Sequence, residues 1–314
     1  MKIKFLLYFL VLSTYLNNSL SKEISFYFDN KYMTYKSKFI DELAIKYNDE
    51  LNNFGLTLIG RILDKKGDYI NALIYYNDGI NKLEIGNYND ISQYLQAGIV
   101  NITRTTNDND YIFNIEKISN LISRPTLLTN QNFGYFNNIT NFNKTRHNPK
   151  INYTFNFDNN LSFGLTFMDK YKINRKHIYN IYEYGINYYK KLDELNINLS
   201  FIGENNFKND FNSYDYGVDF NYYGILFGAN YGNGKTLNEN YYNYYSYGIG
   251  YEIRSLSFSL WYFNGDLEFK DSLNFNISYN INKYINIYSE INKFKFNEES
   301  ENSINFGIII RSLW

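Results

Sequence analysis

The sequence predicts an all-β fold, a transmembrane up-and-down antiparallel barrel of about sixteen strands. Three observations carry that expectation. Apolar and polar residues alternate strictly through most of the second half of the chain. The face opposite the apolar one is almost wholly Asn, Ser, Thr and Gly, which calls for water. The turns recur with a regular rhythm that is broken once, between Asn87 and Arg146. That break runs for about sixty residues, far beyond an ordinary connection, so it marks a functional or disordered stretch.

Composition narrows the class before any segment is placed. The chain has 314 residues and a formal net charge of -1, so its overall charge suggests no nucleic-acid partner. It holds 35 Tyr and 26 Phe but only 2 Pro, a balance that favours strands. Mean hydropathy is -0.46. With no Cys, disulfide staples and thiolate metal sites are excluded.

The N-terminus reads as a secretory signal peptide over residues 1–21. Lys2 and Lys4 precede the apolar run Phe5–Leu12, and Ser19 and Ser21 stand at the minus-three and minus-one positions. The run is too short for a spanning helix, which needs about twenty apolar residues. Residues 22–314 are then expected to form the barrel.

Strands follow from period two, because successive side chains point to opposite faces. Ile151, Tyr153, Phe155 and Phe157 oppose Asn152, Thr154 and Asn156. Leu161, Phe163, Leu165 and Phe167 oppose Ser162, Gly164 and Thr166, and Leu195–Phe201 repeats the pattern. Leu256, Phe258, Leu260 and Tyr262 oppose Ser255, Ser257 and Ser259, and Leu273–Ile281 opposes Asn274, Asn276, Ser278 and Asn280. Segments of about nine to eleven residues match the length a tilted strand needs to cross a bilayer. Tyr182, Tyr188, Tyr222, Tyr251 and Tyr262 near segment ends suit interfacial aromatic girdles. Five earlier segments, from Ile24 to Gly86, alternate less cleanly.

Short turns are expected at Asn48–Asn53, Asn77–Asn81, Asp158-Asn159, Lys191–Glu194, Tyr223-Gly224, Arg254-Ser255 and Asn280–Lys283. Longer polar connections are expected at Asp169–His177, Gly203–Ser213, Gly232–Asn240, Asn264–Asp271 and Lys293–Asn302. Alternation of short and long connections is the pattern of an up-and-down barrel, with both termini on the short-turn side. The stretch 87–146 is then the third long connection, placed to fold into the lumen.

These parts resemble the Gram-negative porin family, and more closely its alphaproteobacterial-type members. Asn81–Asn87 (NKLEIGN) looks like the strand that leads into the family's constriction loop. Arg146–Pro149, followed by Ile151–Phe157, a turn and Leu161–Phe167, looks like the exit from it. The last strand ends on Trp314, similar to the aromatic C-terminal signal read by the barrel assembly machinery. The resemblance implies a homotrimer of water-filled channels in the outer membrane, passing ions and small hydrophilic solutes. In one respect the chain departs from the family: its loop lacks an obvious acidic cluster.

Fixed charges across a narrow lumen sort ions by sign. Alternation puts Arg61, Glu183, Asp215, Asp219, Glu252, Arg254, Glu290 and Arg311 on polar faces. The loop carries Asp90, Asp108, Asp110 and Glu116 against Arg104, Lys117, Arg124 and Lys144. The signs balance and fix no selectivity. The rival expectation is a non-conducting barrel acting as an adhesin or structural surface protein. An enzyme would need a base such as His147 or His177 beside a nucleophile, and the sequence supplies no such pairing and implies no cofactor.

Overall fold

Tight turns organise this chain, and their backbone angles say why they fall where they do. A computed structural model describes residues 22–33, 38–63, 67–86, 95, 97, 98, 149–157, 160–173, 176–206, 211–235, 241–266, 269–282, 285–296 and 300–313. Tyr223 and Gly224 both have positive φ (49° and 82°), the geometry that lets a two-residue hairpin follow the strand twist. Asn52, Asp193 and Arg254 also adopt positive φ, each directly after a strand has ended.

The described residues form sixteen antiparallel strands: β1 (Lys22–Met33), β2 (Lys38–Leu51), β3 (Phe54–Leu63), β4 (Gly67–Asn77), β5 (Asn81–Gly86), β6 (Lys150–Asn156), β7 (Leu161–Ile173), β8 (Lys176–Leu192), β9 (Leu195–Asn206), β10 (Phe211–Tyr222), β11 (Ile225–Lys235), β12 (Tyr241–Ile253), β13 (Leu256–Gly265), β14 (Phe269–Asn280), β15 (Ile285–Phe296) and β16 (Ser300–Leu313). Each pairs with its neighbours in sequence, and β1 pairs with β16, from Ser25↔Leu313 to Met33↔Asn305. That last pairing closes the barrel and leaves no free edge, the liability of an open sheet.

The turn between β4 and β5 is built on one carboxylate. Asp78 accepts hydrogen bonds from the backbone amides of Asn81 (2.6 Å) and Ile80 (3.0 Å), while Gly79 takes a φ of 89°. The Asn81 amide, and then its side chain, hold the Asp78 carboxyl below its ordinary value of 3.8. A depressed carboxyl contributes stability fully above its unfolded pKa and loses it as pH falls through the folded one. The heat-denaturation midpoint should therefore drop below about pH 4 in the native chain, and that part of the drop should vanish in Asp78→Asn.

Strands on the side opposite the tight turns run further than hydropathy alternation suggests. β7 reaches Ile173 and β8 begins at Lys176, so the Asp169–His177 connection is largely strand. The same holds at Gly203–Ser213, Asn264–Asp271 and Lys293–Asn302, where only 207–210, 266–268 and 297–299 lie between strands, and β11 reaches Lys235 inside the Gly232–Asn240 connection. Beyond an apolar belt both faces of a strand meet water, so a polar sequence such as Asn205-Asn206 carries no alternation even when fully paired.

Outward and inward faces differ as the pattern requires. Leu165, Leu199, Ile249, Leu260, Leu273 and Ile291 are exposed on the outside. Tyr216, Tyr231 and Tyr245 are register partners across β10–β12 toward one rim, and Tyr222, Tyr223, Tyr251 and Tyr279 lie toward the tight turns. From Tyr216 to Tyr222 is about 20 Å along the strand, or about 15 Å once tilt is allowed for, so the two sets fit within a membrane-facing apolar band. Among the described residues no helix is long and apolar enough to cross a membrane.

β5 and β6 are short, and their shortness lowers one stretch of the wall. β4 pairs with β5 only from Leu73 onward, leaving Gly67–Ala72 above the contact. β7 likewise continues past Phe167, where its pairing with β6 ends. The long stretch therefore leaves the wall about 20 Å along the strand below the rim, at a rise of about 3.3 Å per residue. Most of that stretch, and the expected signal peptide at 1–21, lie outside the described residues.

Candidate functional site

The inner wall of β8–β11 carries a seat for three residues of the long stretch. Asn187, Ser200, Gly217 and Asn230 are direct register partners across four strands, all on the inward face. Against this row lie Leu95, Ala97 and Gly98. The Ala97 amide donates to Ser200 Oγ at 2.7 Å, and the Gly98 amide donates to Asp219 Oδ2 at 2.8 Å. Asn187 Nδ2 donates to the Leu95 carbonyl (2.7 Å), and Asn230 Nδ2 donates to the Ala97 carbonyl (3.0 Å). Main-chain donors and acceptors removed from strand pairing must find partners, and here the barrel wall supplies them.

Two glycines make the approach close enough. A Cβ on Gly217 would strike the Ala97 carbonyl and sit 2.7 Å from Ser200 Oγ. Gly98 adopts a φ of 104°, a region that side-chain-bearing residues rarely enter, and a Cβ there would strike the Asn230 side-chain amide. An apolar contact completes the seat, for Leu95 packs on Ile202, which faces inward from β9.

The polar groups around the seat hold one another. Asn187 Nδ2 also donates to Asn198 Oδ1 (2.7 Å), and Asn198 Nδ2 donates to Asp219 Oδ2 (3.2 Å). Asp215 accepts from Asn230 Nδ2 (3.1 Å) and from the Tyr244 hydroxyl (2.8 Å). The carboxylates of Asp215 and Asp219 thus fix the amides that grip the Leu95–Gly98 backbone. Such charge-assisted bonds are worth roughly twice a neutral pair.

A second inward row runs Glu84, Asn152, Thr166, Glu183, Glu204 and Ser213, paired strand to strand from β5 to β10. None of the six is more than 2% exposed. Lys82 Nζ lies 2.6 Å from Glu84 Oε1, and Lys150 is buried one inward position from Asn152.

Solved structures resemble this architecture over nearly its whole length. A triple mutant of the Rhodopseudomonas blastica porin matches with a TM-score of 0.59 at 10% identity, covering 93% of this chain and 99% of that one. The fold is that of the bacterial porins. Salmonella typhi OmpF, solved with daunomycin, matches at a TM-score of 0.57 and 13% identity, covering 93% and 97% of the two chains. A loop-deletion mutant of OmpT, an outer membrane protein of Vibrio cholerae, matches at 0.57 and 12%, covering 94% and 99%. No protein-family model matches the sequence, and no curated protein aligns with it.

Within the porin fold the charges singled out in the sequence fall in different places. Glu183 and Asp219 face inward, Glu183 in the buried acidic row and Asp219 at the seat. Glu252 is partly buried beside the β12–β13 turn, where its amide donates to the Gly224 carbonyl at 2.8 Å. Arg254 is exposed in that turn. Arg61 and Arg311 belong to β3 and β16, but their side chains, and that of Glu290 on β15, lie outside the described residues. So do Asp90, Arg104, Asp108, Asp110, Glu116 and Arg124, the basic Lys117 and Lys144, and Trp314.

Sequence reasoning passes over Glu84, Glu204, Asn187, Ser200, Gly217 and Asn230. It assigns Glu204 to the Gly203–Ser213 connection, past Phe201, where the alternation breaks. The break has a cause in the structure. Ile202 is apolar on the inward face because Leu95 covers it, and a Cβ on Gly203 would meet the Tyr184 ring 2.5 Å away. An apolar residue on an otherwise polar inward face is the available signal for a docked segment.

Proposed function

We propose that the chain is an outer-membrane channel of the porin type, giving passive diffusion to ions and small hydrophilic solutes. The observation that carries this reading is a closed barrel with apolar residues outside and polar residues inside, into which the third long connection docks at Leu95–Gly98. Strands satisfy their backbone groups within a closed barrel, the condition for crossing hydrocarbon. The polar inner face offers solutes hydrogen-bonding partners, and the stretch 87–146 narrows the path. Export by residues 1–21, recognition of Trp314 by the assembly machinery, and a homotrimer belong to the same proposal. Nothing in it requires a cofactor or a catalytic residue.

A second reading is favoured by one specific observation. Many inward residues, from Thr57 on β3 round to Tyr288 on β15, are buried, where a wide water-filled lumen would leave them wet. A barrel so filled could serve as a non-conducting surface protein. Planar-bilayer reconstitution separates the two. The channel reading expects discrete steps, each smaller than an unobstructed sixteen-stranded lumen would give. Absence of steps from folded, heat-modifiable protein would leave the non-conducting barrel.

A further inference from the structure

Burial divides the inner wall of β8–β11. Ser200 and Asn230, under Leu95 and Ala97, are buried, but the inward side chains nearer the tight turns are wet. The row beside the turns runs Lys191, Asn196, Asn221 and Leu226, direct register partners from β8 to β11. The next row runs Tyr189, Asn198 and Asp219. All seven are half-buried or exposed.

Two bonds fix the geometry of this patch. The Tyr189 hydroxyl donates to Asn196 Oδ1 at 3.2 Å, and Tyr189 is 41% exposed. Asn196 lies diagonally across the strand gap, since the direct partner of Tyr189 is Asn198. A ring tied in this way lies along the wall and turns one face to the lumen. The same bond engages the Asn196 oxygen and so sets its amide. Asn221 is set likewise, its Oδ1 accepting the Gly224 amide at 3.3 Å. Neither Asn196 Nδ2 nor Asn221 Nδ2 has a partner among the described residues. The two residues face each other on adjacent strands, with Cβ atoms about 5 Å apart. Lys191 and Asp219 flank them with opposite charges, so the patch favours a ligand without net charge.

We propose that this patch at the tight-turn mouth binds neutral saccharides. A pyranose has a face of C–H bonds and a rim of hydroxyls. The C–H face stacks on the Tyr189 ring, the rim accepts from the amino groups of Asn196 and Asn221, and a hydroxyl donates to the Asp219 carboxylate. Because the amides and the ring are already held, little freedom is lost on binding. From Lys191 to Leu226 the row spans three strand spacings, about 14 Å, room for more than one sugar ring, with Leu226 as apolar footing at its far end. An inorganic ion uses neither the ring nor the amide pair. A free amino acid would use Lys191 and Asp219 and leave the ring idle. The proposal rests on the channel reading and names a solute class for it.

Saturation-transfer NMR of maltotriose with the folded, heat-modifiable protein, in a detergent without a sugar headgroup, reads the site without needing current. The parent should bind saturably, with the strongest transfer to C–H protons of the sugar. Tyr189→Ala should weaken binding about tenfold, the worth of a good stacking contact, whereas Tyr189→Phe keeps the ring and should lose less. Absence of saturable binding, equal affinity in Tyr189→Ala, or displacement by glycine at lower concentration than by unlabelled maltotriose would overturn the proposal. Planar-bilayer recording separates its failure from that of the channel. Maltotriose should interrupt the current steps of the parent and interrupt those of Tyr189→Ala far less. Steps that the sugar never interrupts would overturn the site and leave the channel, and sugar binding without any steps would support the site and overturn the channel.

Discussion

Gly217→Val should release Leu95–Gly98 from the wall and raise single-channel conductance severalfold, with the barrel still folded and heat-modifiable. The substitution is mild for a strand, since β-branched residues suit the extended backbone. Its effect comes from position. Even the first carbon of the new side chain occupies the place of the Ala97 carbonyl, so the docked backbone must move. Moving it breaks four hydrogen bonds at once, those with Asn187, Ser200, Asp219 and Asn230. At about 1 kcal/mol for a neutral bond and about 1.5–3 for the one to a carboxylate, the seat is worth on the order of 4–6 kcal/mol. Ser200→Ala removes only one of the four and should shift conductance far less. Planar-bilayer recording of the two variants beside the parent checks the order, and equal currents in all three would mean that the seat does not shape the path.

Leu260→Arg should cost about 2–4 kcal/mol of folding stability in lipid, the usual penalty for a charge at mid-bilayer on a barrel's outer face. Leu260 is 44% exposed in this chain, and its register partners are Ile249 and Phe275. It therefore stands within the apolar band, one outward position from Tyr251 on one side and two from Tyr245 on the other. In a protein whose outer face met water, the same change would be nearly neutral, within about 0.5 kcal/mol. Reversible urea unfolding from lipid vesicles gives the number.

The barrel was legible in the sequence because its physics is local. On the strand 256–265 the apolar side of each residue follows from its parity, and the turn at Arg254-Ser255 follows from the end of the pattern. The lengths of the strands were not legible, because a stretch such as Asn205-Asn206 is polar on both faces and extends a strand that no alternation marks. The seat was half legible. Asp215 and Asp219 carry charges that alternation directs inward, but Ser200, Gly217 and Asn230 differ in no way from other small polar wall residues until Leu95, Ala97 and Gly98 lie against them. Ile202, Trp261 and Phe263 are apolar residues on the polar face, and they mark places where the inside of the wall is dry.

Alternate residues of these strands face lipid and an enclosed interior. A nitroxide scan from Leu256 to Asn264 in lipid vesicles tests it most directly, by comparing collision with oxygen, which enriches in hydrocarbon, and with a polar nickel complex. Positions 256, 258, 260 and 262 should favour oxygen, and 257, 259, 261 and 263 should resist both probes. A flat profile, or even-numbered positions open to the nickel complex, would contradict the membrane barrel.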